Sequence, residues 1–246
     1  MKVFFSVIIP ALNEEHFLPR LLRSLQKQQF TNFEVILVDS ESKDKTISEA
    51  KKFGKYFPLT ILTNTKRNVS RSRNMGAEKA NGEYIFFIDA DNSINSNFLL
   101  EMEKKLIKGY DMIVPAVTPD SKKLFHRVNF FLANRSIQIL RKIDLYFSTG
   151  GNLLVHKTAF NTLHGFDESL FICEDHDLVQ RAKKEGFRVG FSYNPKVMFS
   201  VRRLEKEGAA VALKYFVSSI YIIFFGKITK KIYNYEMGGE YFEHEK

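Results

Sequence analysis

Four times along this chain a helical stretch runs into a glycine and then an extended apolar run, at Gly54, Gly82, Gly109 and Gly186. Few folds accommodate that rhythm. Glycine just past a helix end takes the left-handed capping conformation without a Cβ penalty. Strands that alternate with helices build a mainly parallel α/β sheet covered on both faces. The pattern predicts strands at 3–10, 33–38, 59–62, 84–88, 111–115 and 153–155, and an extended stretch at 187–199. Helices are expected from about Asn13, and at 46–53, 70–80, 97–108 and 174–185, with a loop-rich link at 160–171. Phe17, Leu18, Leu21, Leu22 and Leu25 form the apolar stripe of the first helix. Asn13 suits its N-cap, with Glu14 and Glu15 in the first turn and Glu14 read there as ordinary charge.

The stretch 82–92, GEYIFFIDADN, carries the chemistry. Its wholly apolar run suits a strand buried on both faces. The run ends in Asp89 and Asp91, with Ala90 between. On an extended chain, residues two apart point the same way. Two hard oxygen ligands suit a divalent cation, which can in turn hold a diphosphate. Ligands of such sheets lie beyond the carboxyl ends of the strands. Asp39 falls at another such end, where a carboxylate can accept from a base N–H or a sugar hydroxyl, or simply form a turn.

A length of 246 residues allows one large domain with an appendage, and the net charge of +9 calls for anionic partners. No basic motif with aromatic interleaving occurs, so nucleic acid is not expected. Cys173 is the single cysteine, which fits a reducing, cytoplasmic compartment. The N-terminal run lacks a small-residue cleavage site and reads as a strand. Residues 121–142 carry six bases and no acid among Leu, Phe and Ile. They predict a basic amphipathic helix, either packed on the sheet or in contact with an anionic membrane surface on its cytoplasmic side. Residues 209–225 are apolar apart from Lys214 and a few hydroxyls, and 227–231 are basic. A helix packed on the domain or lying on a membrane is expected there rather than a span. A polar terminus follows at 237–246. A dinucleotide-binding dehydrogenase would need a glycine-rich turn after the first strand, where this chain reads PALNEE.

Five segments line up in order: SVIIPALNEEHFLPRLLRSLQKQ, VDSESKDKT, RNVSRSRNMGAEKANGEYIFFIDADN, STGGNLLV and GFDESLFICEDHDLVQRAKKEGF. Together they resemble family 2 glycosyltransferases of the GT-A fold, inverting enzymes that use nucleotide-sugars. The resemblance implies a GT-A domain at 1–203 and a C-terminal helical extension at 204–246. It places Pro10, Ala11, Asn13 and Glu15 in the nucleoside pocket, with Asp39 on the base or ribose. Of Arg67, Arg71 and Arg73, it points to Arg71 as the group that reaches the base or phosphates. Asp89-Ala90-Asp91 matches the family's DxD motif, with Asp91 on Mg²⁺ or Mn²⁺ and Asp89 on the ribose or the metal's water shell. Gly150, Gly151 and Asn152 fall where the sugar or acceptor sits. Asp175 matches the general base and Glu174 its neighbour in the ED motif. Arg202 and Arg203 occupy the place of a late basic group at the diphosphate. His176 is expected to face outward or to serve as a local hydrogen-bond partner.

The implied partners are a UDP- or GDP-sugar and a glycan or lipid-linked acceptor. A processive synthase is not expected, since the Q-x-x-R-W motif and tryptophan are both absent. The alternative class is a non-catalytic nucleotide-sugar-binding module. Such a module is expected to lose one of the acid motifs, and both are present.

Overall fold

The computed structural model describes residues 2–208, together with Val217, Ser218, Tyr221 and Ile228. Seven strands form one mixed sheet, β1 (Phe5–Ala11), β2 (Phe33–Asp39), β3 (Leu59–Thr63), β4 (Tyr84–Phe87), β5 (Met112–Pro119), β6 (Leu153–His156) and β7 (Val189–Phe199). The spatial order is β3-β2-β1-β4-β6-β5-β7. β1 to β4 run parallel, as do β5 and β7, while β6 is antiparallel to both of its neighbours. The sheet thus matches the expected α/β class, with one strand reversed.

Alternation along the strands divides the core in two. Phe5, Val7 and Ile9 of β1 face α1 (Leu18–Gln26) and α4 (Phe98–Leu106). Ile8, Ile36 and Val38 face the other way, toward the layer of α3 (Val69–Lys79), α6 (Lys157–Thr162) and α7 (Glu174–Lys184). Such period-two sorting is what a strand buried on both faces requires. Helix α3 approaches closely because Gly76 has no Cβ; one built there would lie 2.4 Å from Ile8 Cγ2. Further helices within residues 2–208 are α2 (Thr46–Lys51), α5 (Leu124–Leu140), continued by a 3₁₀ turn at Arg141–Ile143, and α8 (Arg202–Glu207).

Several expectations change. The first helix starts at Leu18, with Pro19 in its first turn, and Asn13 is no cap. Instead Asn13 takes φ +54° in a loop, where its amide and side chain bond Ser42 and Lys43. Gly109 and Gly186 have the left-handed φ, whereas Gly54 and Gly82 do not. Gly82 is needed for clearance: a Cβ there would lie 2.5 Å from the Ser6 amide nitrogen. The link at 160–171 opens inside α6, because the His156 side chain caps that helix. The expected boundary at 203 falls within α8. The apolar tail at 209–225 and the terminus at 237–246 lie outside the described residues, apart from Val217, Ser218 and Tyr221. Among the described residues no helix is long and apolar enough to cross a membrane.

Candidate functional site

The carboxyl ends of β1, β4 and β7 and the amino end of the reversed β6 meet at one edge of the sheet. A cavity of about 670 Å³ opens there, bordered by Pro10, Ala11, Asp89, Asp91, Glu174 and Asp175 among others. Its organising charge is Arg73, which is 2% exposed. Arg73 donates to Asp89 Oδ1 at 2.8 Å and to Glu174 Oε1 at 2.5 Å. The guanidinium also stands over the Phe166 ring at 5.4 Å. One buried cation therefore joins the acid pair after β4 to the acid pair that opens α7.

Asp175 sits beside this clamp and is held differently. Its Oδ2 accepts from the Gly151 amide at 2.7 Å, and Oδ1 accepts from the His176 amide and lies 3.1 Å from His176 Nδ1. Burial pushes its carboxyl up, but His176, the Gly151 amide and Arg73 outweigh this and hold it below the usual carboxylate range. Glu174 goes the other way, because burial and the neighbouring Asp175 charge exceed what Arg73 recovers. Two adjacent carboxyls thus have opposite proton affinities, a pattern suited to distinct roles. Cys173, just before them, is a buried non-glycine residue at φ +61°, a conformation that costs energy and turns the chain sharply into α7.

Gly150 and Gly151 both adopt positive φ, at +70° and +76°. A Cβ on Gly151 would stand 2.2 Å from Arg73 Nη2, so only glycine lets this amide reach Asp175 over the guanidinium. Asn152 does not border the cavity. It is fully buried and braces the turn through Thr149 O and Gly150 O, while its Oδ1 accepts from Asn92.

The second charge cluster centres on Arg202, at the start of α8. It forms a two-pronged pair with Glu14, at 2.5 and 3.0 Å, and its Nε lies 3.0 Å from Asp91 Oδ2. Phe17 stacks beneath it at 4.6 Å. Burial raises Glu14 to about 7 despite the Arg202 contact. Burial also raises Asp91, partly offset by Arg202. Arg20 adds a bond to the Asp91 carbonyl. Ala90 and Arg203 border the same cavity.

Other expected residues lie elsewhere. Arg71 does not border the cavity; it points to Glu168 at 3.6 Å, and Arg73 holds the interior position. The reason is helical phase. Ser70, Arg73 and Ala77 share the buried side of α3, and Arg71 is turned away from it. Asp39 is fully buried and spends its carboxylate on the Ser42 amide and hydroxyl, in the turn-forming manner. Glu15 binds the Lys45 amide. With Asn13 it fastens the β1–α1 loop to the β2–α2 loop instead of bordering the cavity. His176 is buried at Asp175 and edge-on to Phe147, a local partner and not outward. Glu14, expected as first-turn charge, is a buried partner of Arg202, 188 positions away.

The family model for Glycosyl transferase family 2 matches residues 6–163, well over half of the chain. The chain belongs to glycosyl transferase family 2. Among curated members it is 27% identical over 194 residues to an uncharacterized glycosyltransferase of Haemophilus influenzae, covering 73% of this chain and 62% of that one. It is also 27% identical over 230 residues to the poly(ribitol-phosphate) beta-N-acetylglucosaminyltransferase TarS of Staphylococcus aureus, covering 81% of this chain and 39% of TarS. This family 2 chain therefore spans less than two thirds of these relatives. Its fold resembles TarS residues 1–349 with a TM-score of 0.66 at 20% identity, over 89% of this chain and 65% of that one. It likewise resembles the mannosyltransferase PcManGT of Pyrobaculum calidifontis, solved with GDP-Man and Mn²⁺, with a TM-score of 0.64 at 19% identity, over 88% and 64%. These likenesses establish the GT-A fold expected from the sequence.

Proposed function

We propose that this chain is an inverting glycosyltransferase that moves a sugar from a nucleotide-diphosphate sugar to an acceptor hydroxyl or lipid phosphate. The observation that carries this reading is the Arg73 clamp, which sets the DxD acids and the ED acids around one cavity at the sheet's carboxyl edge. The donor class draws support from family membership and from the fold neighbours, one solved with UDP-GlcNAc and another with GDP-Man.

Asp91 and Asp89 are the residues that would hold Mg²⁺ or Mn²⁺. Both border the cavity, and hard carboxylate oxygens fit either cation. Among the described residues no cluster of three or more His, Cys, Asp or Glu could hold a metal. Diphosphate oxygens and water would therefore complete the shell. A bound cation would neutralise charge gathering on the departing nucleoside diphosphate.

Asp175 is ionised at neutral pH and is the proposed general base. It takes the acceptor's proton as the acceptor oxygen bonds the anomeric carbon. The bond from that carbon to the diphosphate oxygen breaks, and its electron pair leaves with the nucleotide. The Gly151 amide and His176 aim the Asp175 carboxylate, and Glu174, anchored on Arg73, keeps α7 in register. Arg202 holds Asp91 in place and is the proposed partner of the diphosphate.

A thermal-shift panel of UDP- and GDP-sugars with Mn²⁺ tests the donor, since specific binding raises apparent stability. Asp91→Asn is expected to lose the metal-dependent shift. Asp175→Asn is expected to keep it while losing transfer by a factor of about 10²–10⁴. Transfer at the wild-type rate by Asp175→Asn would overturn the base assignment.

A further inference from the structure

Helix α5 is inverted. Its buried side chains are the polar His126 and Asn134. Leu124, Phe125, Val128, Phe131, Leu132 and Ile139 are instead 45–73% exposed. At 100° per residue these six fall within one arc of about 120°, the width of an apolar stripe that normally faces a core. The 17-residue helix is about 25 Å long, so the stripe is extensive.

The inversion is built in. β6 pairs only with Met112 and Ile113 of β5. Further along β5, Asn134 bonds both the N–H and the C=O of Val117, at 3.1 and 2.7 Å. Asn134, together with Phe130 packed on Phe199 at 5.8 Å, thus sets which side of α5 faces the sheet. The opposite side is left with the large apolar groups.

Charge identifies the occupant. Lys122, Lys123, Arg127, Arg135 and Lys142 are exposed on and around this helix, and residues 121–142 contain no acid. A second copy packed about a two-fold axis would set these bases against themselves. An anionic bilayer attracts the bases and accepts the apolar stripe at its acyl boundary.

We propose that α5 is a membrane-docking helix that lies in the interface of a bilayer containing anionic phospholipid. Leu132 belongs both to the exposed stripe and to the wall of the acid-lined cavity. Docking therefore turns the cavity mouth toward the lipid surface. With the transferase reading above, on which this last step rests, the acceptor is lipid-linked; docking itself does not depend on that reading.

The test is flotation of the full chain with phosphatidylcholine vesicles, with and without phosphatidylglycerol. Wild type is expected to float only when the anionic lipid is present. Lys122→Gln/Arg127→Gln is expected to partition about 30-fold more weakly, at about 1 kcal/mol per base. Leu124→Ser/Phe131→Ser is expected to stay at the bottom of the gradient. All four positions are exposed, and an unchanged thermal midpoint verifies folding. Absence of wild-type flotation, or flotation of both variants like wild type, overturns the proposal. So does a wild-type dimer in lipid-free buffer that the Leu124→Ser/Phe131→Ser variant dissociates, found without flotation. Donor binding measured without vesicles tests the transferase reading separately.

Discussion

Replacing Arg73 with methionine removes the cation shared by the two acid motifs while keeping most of the aliphatic volume. In the native chain Arg73 pairs with Asp89 at 2.8 Å and Glu174 at 2.5 Å, and its side chain is 3% exposed. Removing one partner of a buried ion pair costs about 3–5 kcal/mol, because the surviving charge is left uncompensated. Two carboxylates lose their partner here, but they do not lose equally. Glu174 already binds its proton more tightly than a free carboxyl, and loss of Arg73 strengthens that preference. It can neutralise itself, whereas Asp89, a third exposed, regains water. The expected loss is therefore about 4 kcal/mol at pH 8, which is a large share of a typical domain's stability. A group whose folded pKa is raised stabilises below its unfolded pKa and loses that contribution as pH rises through the folded pKa. The penalty of Arg73→Met should accordingly shrink as the pH is lowered toward the ordinary glutamate range. Urea unfolding followed by circular dichroism measures it. In a Glu174→Gln background the same substitution should cost at least about 1 kcal/mol less, since contacting residues are not additive. A cost below about 1 kcal/mol at pH 8, or strict additivity with Glu174→Gln, would refute the clamp.

Gly151→Ala should lose donor-dependent transfer and destabilise the chain by about 1–3 kcal/mol, because alanine there is strained at φ +76° and meets Arg73. The Gly186→Ala control, with positive φ but open space around it, should show the strain alone. Glu14, raised from 4.5 to about 7 by burial, stabilises fully below pH 4.5 and loses that contribution as pH rises through about 7. Metal-free wild type should therefore lose up to about 3 kcal/mol relative to Glu14→Gln across that window, read by urea unfolding at each pH. A difference that does not vary with pH would exclude this effect.

The layout of the sheet was legible because its signals are local. Apolar runs of strand length, helical stripes and strand-end acids all act within a dozen residues. Asp89 and Asp91 were legible as strand-end acids, while the gathering of Glu174 and Asp175 around the same cavity was implied by the family resemblance. Two kinds of information were not local. Glu14 resembles first-turn charge until Arg202, 188 positions later, folds back onto it. Asn13 has a side chain suited to a ligand, yet it is taken up between two loops whose approach depends on the strand pairing, whereas Asp39 closes its own turn on Ser42. Arg73 was different, since the signal was present. Ser70, Arg73 and Ala77 follow helical spacing on the buried face, so the phase of α3 favours Arg73 over Arg71.

The reversal of β6 has a consequence for how this chain tolerates change. Everything from β1 to Asp91 is laid down as one continuous run, and the 120–152 segment then returns to the same edge through a strand pointing the other way. Because β6 enters from the edge where β4 leaves, with Phe87 opposite Leu153, that segment begins and ends at one edge, and in between it is pinned by Asn134 on Val117 and by Phe147 on His176. Its exposed positions can be exchanged without shifting the register that sets Gly151 against Asp175, provided that Asn134 and Phe147 are kept. Grafting residues 120–144 between family members, with Asn134 kept, should therefore behave as a modular swap, altering what approaches the cavity while leaving the carboxylate geometry in place.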